Sequence, residues 1–345
     1  MDNSFQGELQ SKSFTYLDEE VKKEEFHVLL LNSYSEYIRQ GITALVETGQ
    51  SDIGNVIEWT KDVLNTSNLR GVVDVYDSID NYYNRDDEYI KYCTHLPEEE
   101  NIEDNILFEL KSIKEDYPSL RMTHCLETLA RKEIVENKYH KTTVELYDDF
   151  DLIDKNTLLF HCTHVNSDDI DLIADRRASI VYCPVSNYWS GAGYAPLEHF
   201  LQKDINVLLG TDFLLSDLWE VMRNTYYYLK TNTEPDKYTA EDVFKMVTVN
   251  AQKVLAPEMK IGKIAVDYKA DLQFINKNKT VIWPLLNKDG FSNILHNLLM
   301  HTNSELIENV MIDGKWVLKN NKIVPFDEKF IHVRYRHILQ NLYDI

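Results

Sequence analysis

From about residue 25 to residue 255 the chain alternates short apolar runs with amphipathic stretches of helical period. That alternation limits the possible folds more than any other feature. Strands are predicted at 42–46, 71–75, 90–93, 120–124, 157–161, 179–183 and 206–209. Helices are predicted at 29–39, 53–64, 105–116, 168–175 and 196–202. Strand–helix alternation implies a parallel sheet, and strands that are apolar throughout imply burial on both faces. The repeat count suits an α/β fold of the (β/α)8 TIM-barrel type better than an open sheet. Such barrels carry their chemistry at the C-terminal ends of the strands. Only seven strands are found before residue 215, so the first barrel strand is expected to be missing or atypical.

Beyond residue 255 the pattern changes to apolar–polar alternation around Asp313-Gly314 and Asn320-Asn321, which are hairpin signals. The expected organisation is a barrel over residues 1–255 and a small β-rich appendage over 256–345, closed by a helix at 332–342.

Bulk properties narrow the function. A formal charge of −21 argues against a nucleic-acid partner, which needs a basic face. No apolar run approaches the roughly 18 residues that span a bilayer, and the start shows neither the basic nor the apolar part of a signal peptide. Cys93, Cys125, Cys162 and Cys183 are scattered without a Cys-x-x-Cys, so buried thiols in a reducing cytoplasm are expected.

Chemistry gathers where predicted strands end. His124 and Glu127 follow one strand, His161 and His164 another, Asp212 a third, and His95 closes an earlier one. A carboxylate such as Asp212 at the end of a buried strand needs a metal or a donor beside it. Histidine and glutamate three residues apart could divide metal ligation and proton transfer between them, although His-x-x-Glu alone is a weak signal. His164 precedes the helix start at Asn166-Ser167-Asp168, and a structural role suits it better.

Taken in order, these stretches resemble the amidohydrolase superfamily, in its aminohydrolase branch of S-adenosylhomocysteine-type and guanine deaminases and triazine hydrolases. The similarity lies in His161-Cys162-Thr163-His164, Cys183-Pro184-Val185-Ser186-Asn187, Gly191-Ala192-Gly193-Tyr194-Ala195-Pro196 and Gly210-Thr211-Asp212. Glu220-Val221-Met222-Arg223, Val249-Asn250-Ala251 and Gly262-Lys263-Ile264 through Lys269-Ala270-Asp271 continue it, with Asp267 in place of a glycine.

The resemblance implies a hydrolase of C–N bonds other than peptide bonds, a deaminase of a small planar nitrogenous substrate that uses a divalent metal, zinc or iron. It implies His124 and Asp212 as metal ligands, with Asp212 also the general base. Glu127 would protonate the ring nitrogen or the leaving group, and His161 would stabilise the oxyanion or orient the nucleophile. His95, Asn187 and Trp189 would line the substrate pocket. The family's first strand normally ends in His-x-His, and here Met1 and Asn3 of Met1-Asp2-Asn3-Ser4-Phe5-Gln6-Gly7 stand at or near those positions. His124 and Asp212 then supply two ligands where a catalytic zinc usually takes three. His27 and Glu47 are weighed as replacements, against helix packing for His27. A degenerate binding subunit and one half of a split enzyme are the alternatives to an active hydrolase. Tail strands without their usual sandwich partners imply a homo-oligomer or a partner chain at the C-terminal β segment.

Overall fold

The structure, a computed structural model, describes residues 11–48, 55–76, 78–86, 88–212, 216–255 and 257–344. The histidine positions proposed at Met1 and Asn3 lie outside these residues. Seven parallel strands form one curled sheet in sequence order: β1 (Ala44–Glu47), β2 (Arg70–Asp74), β3 (Ile90–His95), β4 (Leu120–Cys125), β5 (Thr157–His161), β6 (Ser179–Tyr182) and β7 (Asn206–Leu209). Each pairs with the next, and among the described residues no strand joins β1 to β7. The barrel-type sheet predicted from the apolar runs is therefore present as seven staves among the described residues.

Strands β2, β5 and β6 are buried throughout, on both faces, which explains their apolarity, whereas β1 at the edge is half-buried. Inward residues Val72, Cys93, Met122, Leu158, Phe160, Val181, Cys183 and Leu208 pack together. Ala251, Val254 and Leu255 of the helix Val249–Leu255 pack against this inner cluster. Outward residues such as Val73, Leu159, Ile180 and Val207 join the larger layer between strands and helices. Gly210 follows β7 where a side chain has no room: a Cβ there would lie 2.7 Å from Cys183 Sγ and 2.9 Å from Val181 Cγ1.

Beside the free edge of β1 lies a cavity of about 320 Å³ lined by Ile42, Leu45, Trp219, Met222, Phe244 and Thr248 among others. Next to it the Trp219 indole donates to the Gln40 carbonyl at 3.1 Å, tying the helix Leu218–Asn232 to the end of Lys23–Arg39.

The appendage is a four-stranded antiparallel sheet in the order β13-β12-β11-β8. Its strands are β8 (Leu272–Ile275), β11 (Ile307–Ile312), β12 (Lys315–Lys319) and β13 (Lys322–Ile323). A short hairpin, β9 (Asn287–Lys288) and β10 (Phe291–Ser292), lies between β8 and β11. The turns fall at Asp313-Gly314 and Asn320-Asn321, and all four residues have positive φ, as tight hairpins of this kind demand. The final helix, Glu328–Tyr343, lies along Lys23–Arg39, and Arg39 grips Glu328 through two hydrogen bonds of 2.6 Å. Barrel and appendage are also joined through Arg70 at the start of β2. It is 1% exposed, pairs with both Asp271 carboxylate oxygens at 2.8 and 3.1 Å, and lies over the Tyr89 ring.

Candidate active site at the barrel mouth

Side chains two apart on a strand share a face, so the residue two beyond an interior residue also points inward. Val72 leads to Asp74, Cys93 to His95 and Met122 to His124, which brings three polar groups to the C-terminal rim. By the same rule Phe160 would send His161 outward. Left-handed backbone at His161 (φ 66°) and Cys162 (φ 50°) breaks the alternation and turns the imidazole into the mouth. Tyr76, Leu126 and Asp212 are left-handed as well, at 49°, 48° and 59°. For a leucine this backbone is a strained one. The Leu126 N–H is held at 2.7 Å by the buried Glu99 carboxylate, which also accepts from Thr143 Oγ1 at 3.1 Å. Glu99 thus fixes the turn that presents Glu127.

The polar groups form a row across the mouth. Asp74 Oδ2 takes the Nδ1–H of His95 at 2.5 Å. His95 Nε2 meets Glu98 Oε1 at 2.8 Å, and His124 Nδ1 meets the same oxygen at 2.6 Å. The His124 ring stacks on His161 with centroids 5.4 Å apart. His161 Nε2 lies 3.9 Å from Asp212 Oδ2, which accepts from Ser186 Oγ at 2.5 Å. Arg131, on the helix Leu129–Tyr139 capped by Thr128, holds Glu98 Oε2 at 3.0 Å and Glu127 at 3.4 Å.

Burial by itself lowers the basicity of His95, but the bonds from Asp74 and Glu98 win and raise its pKa to about 9. Burial opposes ionisation of Glu98, and the His124 and His95 hydrogen bonds overcome it, leaving its pKa well below the usual carboxylate range. Burial pushes His161 down, so its imidazole is neutral. Asn187 Nδ2 donates to Thr163 Oγ1 at 3.2 Å, which leaves Asn187 Oδ1 to accept the His161 Nδ1–H at 2.8 Å. The neutral His161 therefore keeps its lone pair on Nε2, the atom facing Asp212.

The structure brings His95, His124, Glu127, His161 and Asp212 together at one rim. It places Asn187 differently from the expectation of a substrate contact: it is fully buried, and both ends of its amide are committed to His161 and Thr163. Trp189, on the helix Pro184–Ser190, is 38% exposed. His164 is structural, with Nε2 donating to the Ala192 carbonyl at 2.7 Å. His27 lies within Lys23–Arg39, while Glu47 is set beside Tyr34 and Tyr37, on the face of β1 opposite to the barrel interior. Neither reaches the rim.

Sequence reasoning missed Asp74, Glu98 and Ser186. Asp74 has the signal that singled out Asp212, a carboxylate ending an apolar run, and His95-x-x-Glu98 repeats the spacing of His124-x-x-Glu127. The ligand atoms of His95, Glu98 and His124 lie within 4.8 Å of one another, as do those of Glu98, Glu99 and Glu100.

Comparison with known proteins agrees with this architecture. The model of the amidohydrolase family matches residues 3–317. A 5-methylthioadenosine/S-adenosylhomocysteine deaminase of Pyrococcus horikoshii is 29% identical over 219 residues, 62% of this chain and 50% of that protein. One from Thermoanaerobacter pseudethanolicus is 27% identical over 294 residues, 83% of this chain and 66% of that protein. The chain thus spans between half and two thirds of the length of these relatives. Among solved structures, a zinc-bound adenosine deaminase from Xanthomonas campestris superposes with a TM-score of 0.86 at 19% identity, covering 98% of this chain and 80% of that one. A guanine deaminase from C. acetobutylicum gives 0.68 at 20% identity, covering 84% and 77%. With the family model matching most of its length, the chain belongs to the amidohydrolase family.

Proposed function

We propose that the chain hydrolyses a C–N bond, other than a peptide bond, in a small planar nitrogenous substrate, releasing ammonia. The observation that carries this is the meeting of Glu127, His161 and Asp212 with His124 at one barrel mouth. The names borne by the matched relatives point to an adenosine-type substrate class. Tyr76, stacked on His95 with centroids 5.1 Å apart and 37% exposed, offers a flat surface at the same rim.

A divalent cation, zinc or iron, fits the donor types gathered at this mouth, imidazoles and carboxylates, with His95, Glu98 and His124 converging within 4.8 Å. Such a cation, when bound, acidifies water and polarises the scissile bond. His124 and Asp212 would hold the cation in this scheme, and Asp212 would also serve the attacking water. The Asp212 carboxylate, steadied by Ser186, accepts the proton of the nucleophilic water. The neutral His161, held by Asn187, keeps an unprotonated Nε2 beside that carboxylate and orients the water. Asp212 then returns its proton to the departing amine, which leaves as ammonia, while Glu127, held near Arg131, relays the second water proton to the ring nitrogen.

Assay of zinc-supplemented protein for ammonia release from adenosine- and guanine-type substrates tests this. Activity in the wild type and a loss of about 10²–10⁴-fold in Glu127→Gln are expected. A wild type that releases no ammonia from any planar amino-heterocycle would refute it.

Four buried free thiols suit a reducing compartment, and we place the protein in the cytoplasm. No described helix is long and apolar enough to cross a membrane. We infer a second copy or a partner chain at the C-terminal sheet, whose β8 and β13 are edge strands. Light scattering showing a strictly monomeric species would remove that inference.

A further inference from the structure

We propose that Glu99 is a positioning residue of this reaction: its buried carboxylate places the Glu127 side chain, through the Leu126 backbone and through Arg131. The inference rests on the reading above in which Glu127 moves a proton. It adds a residue that touches neither the substrate nor the metal. Glu99 is 2% exposed and lies beside Thr143, Cys125 and Tyr147, in the layer between strands and helices. Its Oε2 has no hydrogen-bond partner. Burial of an acid works against folding, and an apolar side chain of the same size would avoid that cost. Stability alone therefore does not account for a carboxylate at this place.

Two arms run from Glu99 to Glu127. In the first, Oε1 accepts the Leu126 N–H at 2.7 Å and the Thr143 hydroxyl at 3.1 Å. Leu126 is left-handed (φ 48°), a backbone that residues with bulky side chains avoid. Its carbonyl accepts the His164 N–H at 3.0 Å, so both of its polar groups are tied and Glu127 leaves the turn in one direction. In the second arm, the Arg131 guanidinium stands against three successive acids of the loop after β3. Nη1 lies 3.0 Å from Glu98 and 4.0 Å from Glu99, and Nε lies 2.9 Å from Glu100. The same Nη1 is 3.4 Å from Glu127 Oε2, which fixes the far end of that side chain.

The frame behind both arms is itself anchored. The Leu96 N–H donates to the Met122 carbonyl at 2.8 Å, and the Tyr147 hydroxyl donates to the Pro97 carbonyl. The Ile102 carbonyl accepts from Lys138 at 2.8 Å and from Tyr139 at 3.1 Å, both on the helix that carries Arg131. The loop after β3 is thus held on both sides of Glu99, and Glu99 acts as a strut between that loop and the turn. A proton carrier displaced by about 1 Å loses up to about 100-fold in rate, and removing the strut invites a displacement of that size.

The test measures ammonia release by zinc-supplemented full-length protein, with the better substrate of the adenosine and guanine types. Glu99→Ala should lower kcat about 10–100-fold and leave KM within about threefold. Glu99→Gln keeps an acceptor oxygen for the Leu126 N–H and should recover most of that loss. A double-mutant cycle shows the route: in a Glu127→Gln background, Glu99→Ala should change kcat by less than about twofold. Metal content and thermal melts report whether each variant keeps its ion and its fold. Arg131→Ala, on a partly exposed side chain, repeats the cycle through the second arm and should lose about tenfold in the same way. A wild-type crystal structure needs no variant: Glu99 Oε1 should lie on the Leu126 N–H, with Glu127 in a single conformer. Glu99 turned away from Leu126, unchanged kcat in Glu99→Ala, or an equal loss with and without Glu127 would overturn the positioning role and leave the hydrolase intact. A wild type that releases no ammonia would overturn the hydrolase reading and this one together.

Discussion

Burial pushes the Glu47 carboxyl up to about 7 from an ordinary 4.5, against the pull of the neighbouring Tyr34 hydroxyl. A raised carboxylate keeps its proton in the fold after the unfolded chain has lost it. Stability therefore falls as pH rises from 4.5 to 7 and levels off above. Urea unfolding across that range should show wild type losing about 1–3 kcal/mol that Glu47→Gln does not lose. Parallel curves for the two proteins would count against a buried, protonated Glu47. At this scale the sequence made His124, Glu127, His161 and Asp212 legible, because each stands at the end of an apolar run. It did not reveal the inward turn of His161, which depends on two consecutive left-handed residues, nor the pairing of Asp74 with His95. That contact joins neighbouring strands 21 residues apart and needs their register.

Strands were readable as elements because each is a short apolar run, and β5 and β7 fall on the expected residues. The helices Leu129–Tyr139 and Thr143–Asp149 were not anticipated. Leu129–Tyr139 buries only Val135, so it has almost no apolar period to detect. Its neighbour did announce itself through the capping box Thr142-x-x-Glu145. Gly210 tests how tightly β7 is set against β6. Gly210→Ala should lower stability by about 1–3 kcal/mol, since the new methyl group overlaps Cys183 Sγ and Val181 Cγ1. Adding Cys183→Ala should restore part of the loss in thermal melts. If the double variant melts lower still, the clash is not with that sulfur.

For the whole molecule, the change of pattern near residue 255 marks a change of architecture, yet the Arg70–Asp271 pair crosses it with both side chains 2% exposed. Removing one partner of such a pair strands the other, so Asp271→Asn should cost about 3–5 kcal/mol in chemical denaturation. A loss under about 1 kcal/mol would show the pair to be dispensable. The sequence offered no hint of this link, because Arg70 opens an apolar strand and Asp271 lies 201 residues further on. It follows that the two halves are not modules that could be traded or expressed apart. A barrel cut after residue 255 would keep a guanidinium in its floor with no counter-charge, and a freed sheet would carry the matching carboxylate into water. Recombination with another family member would have to move Arg70 together with Asp271, and Arg39 together with Glu328.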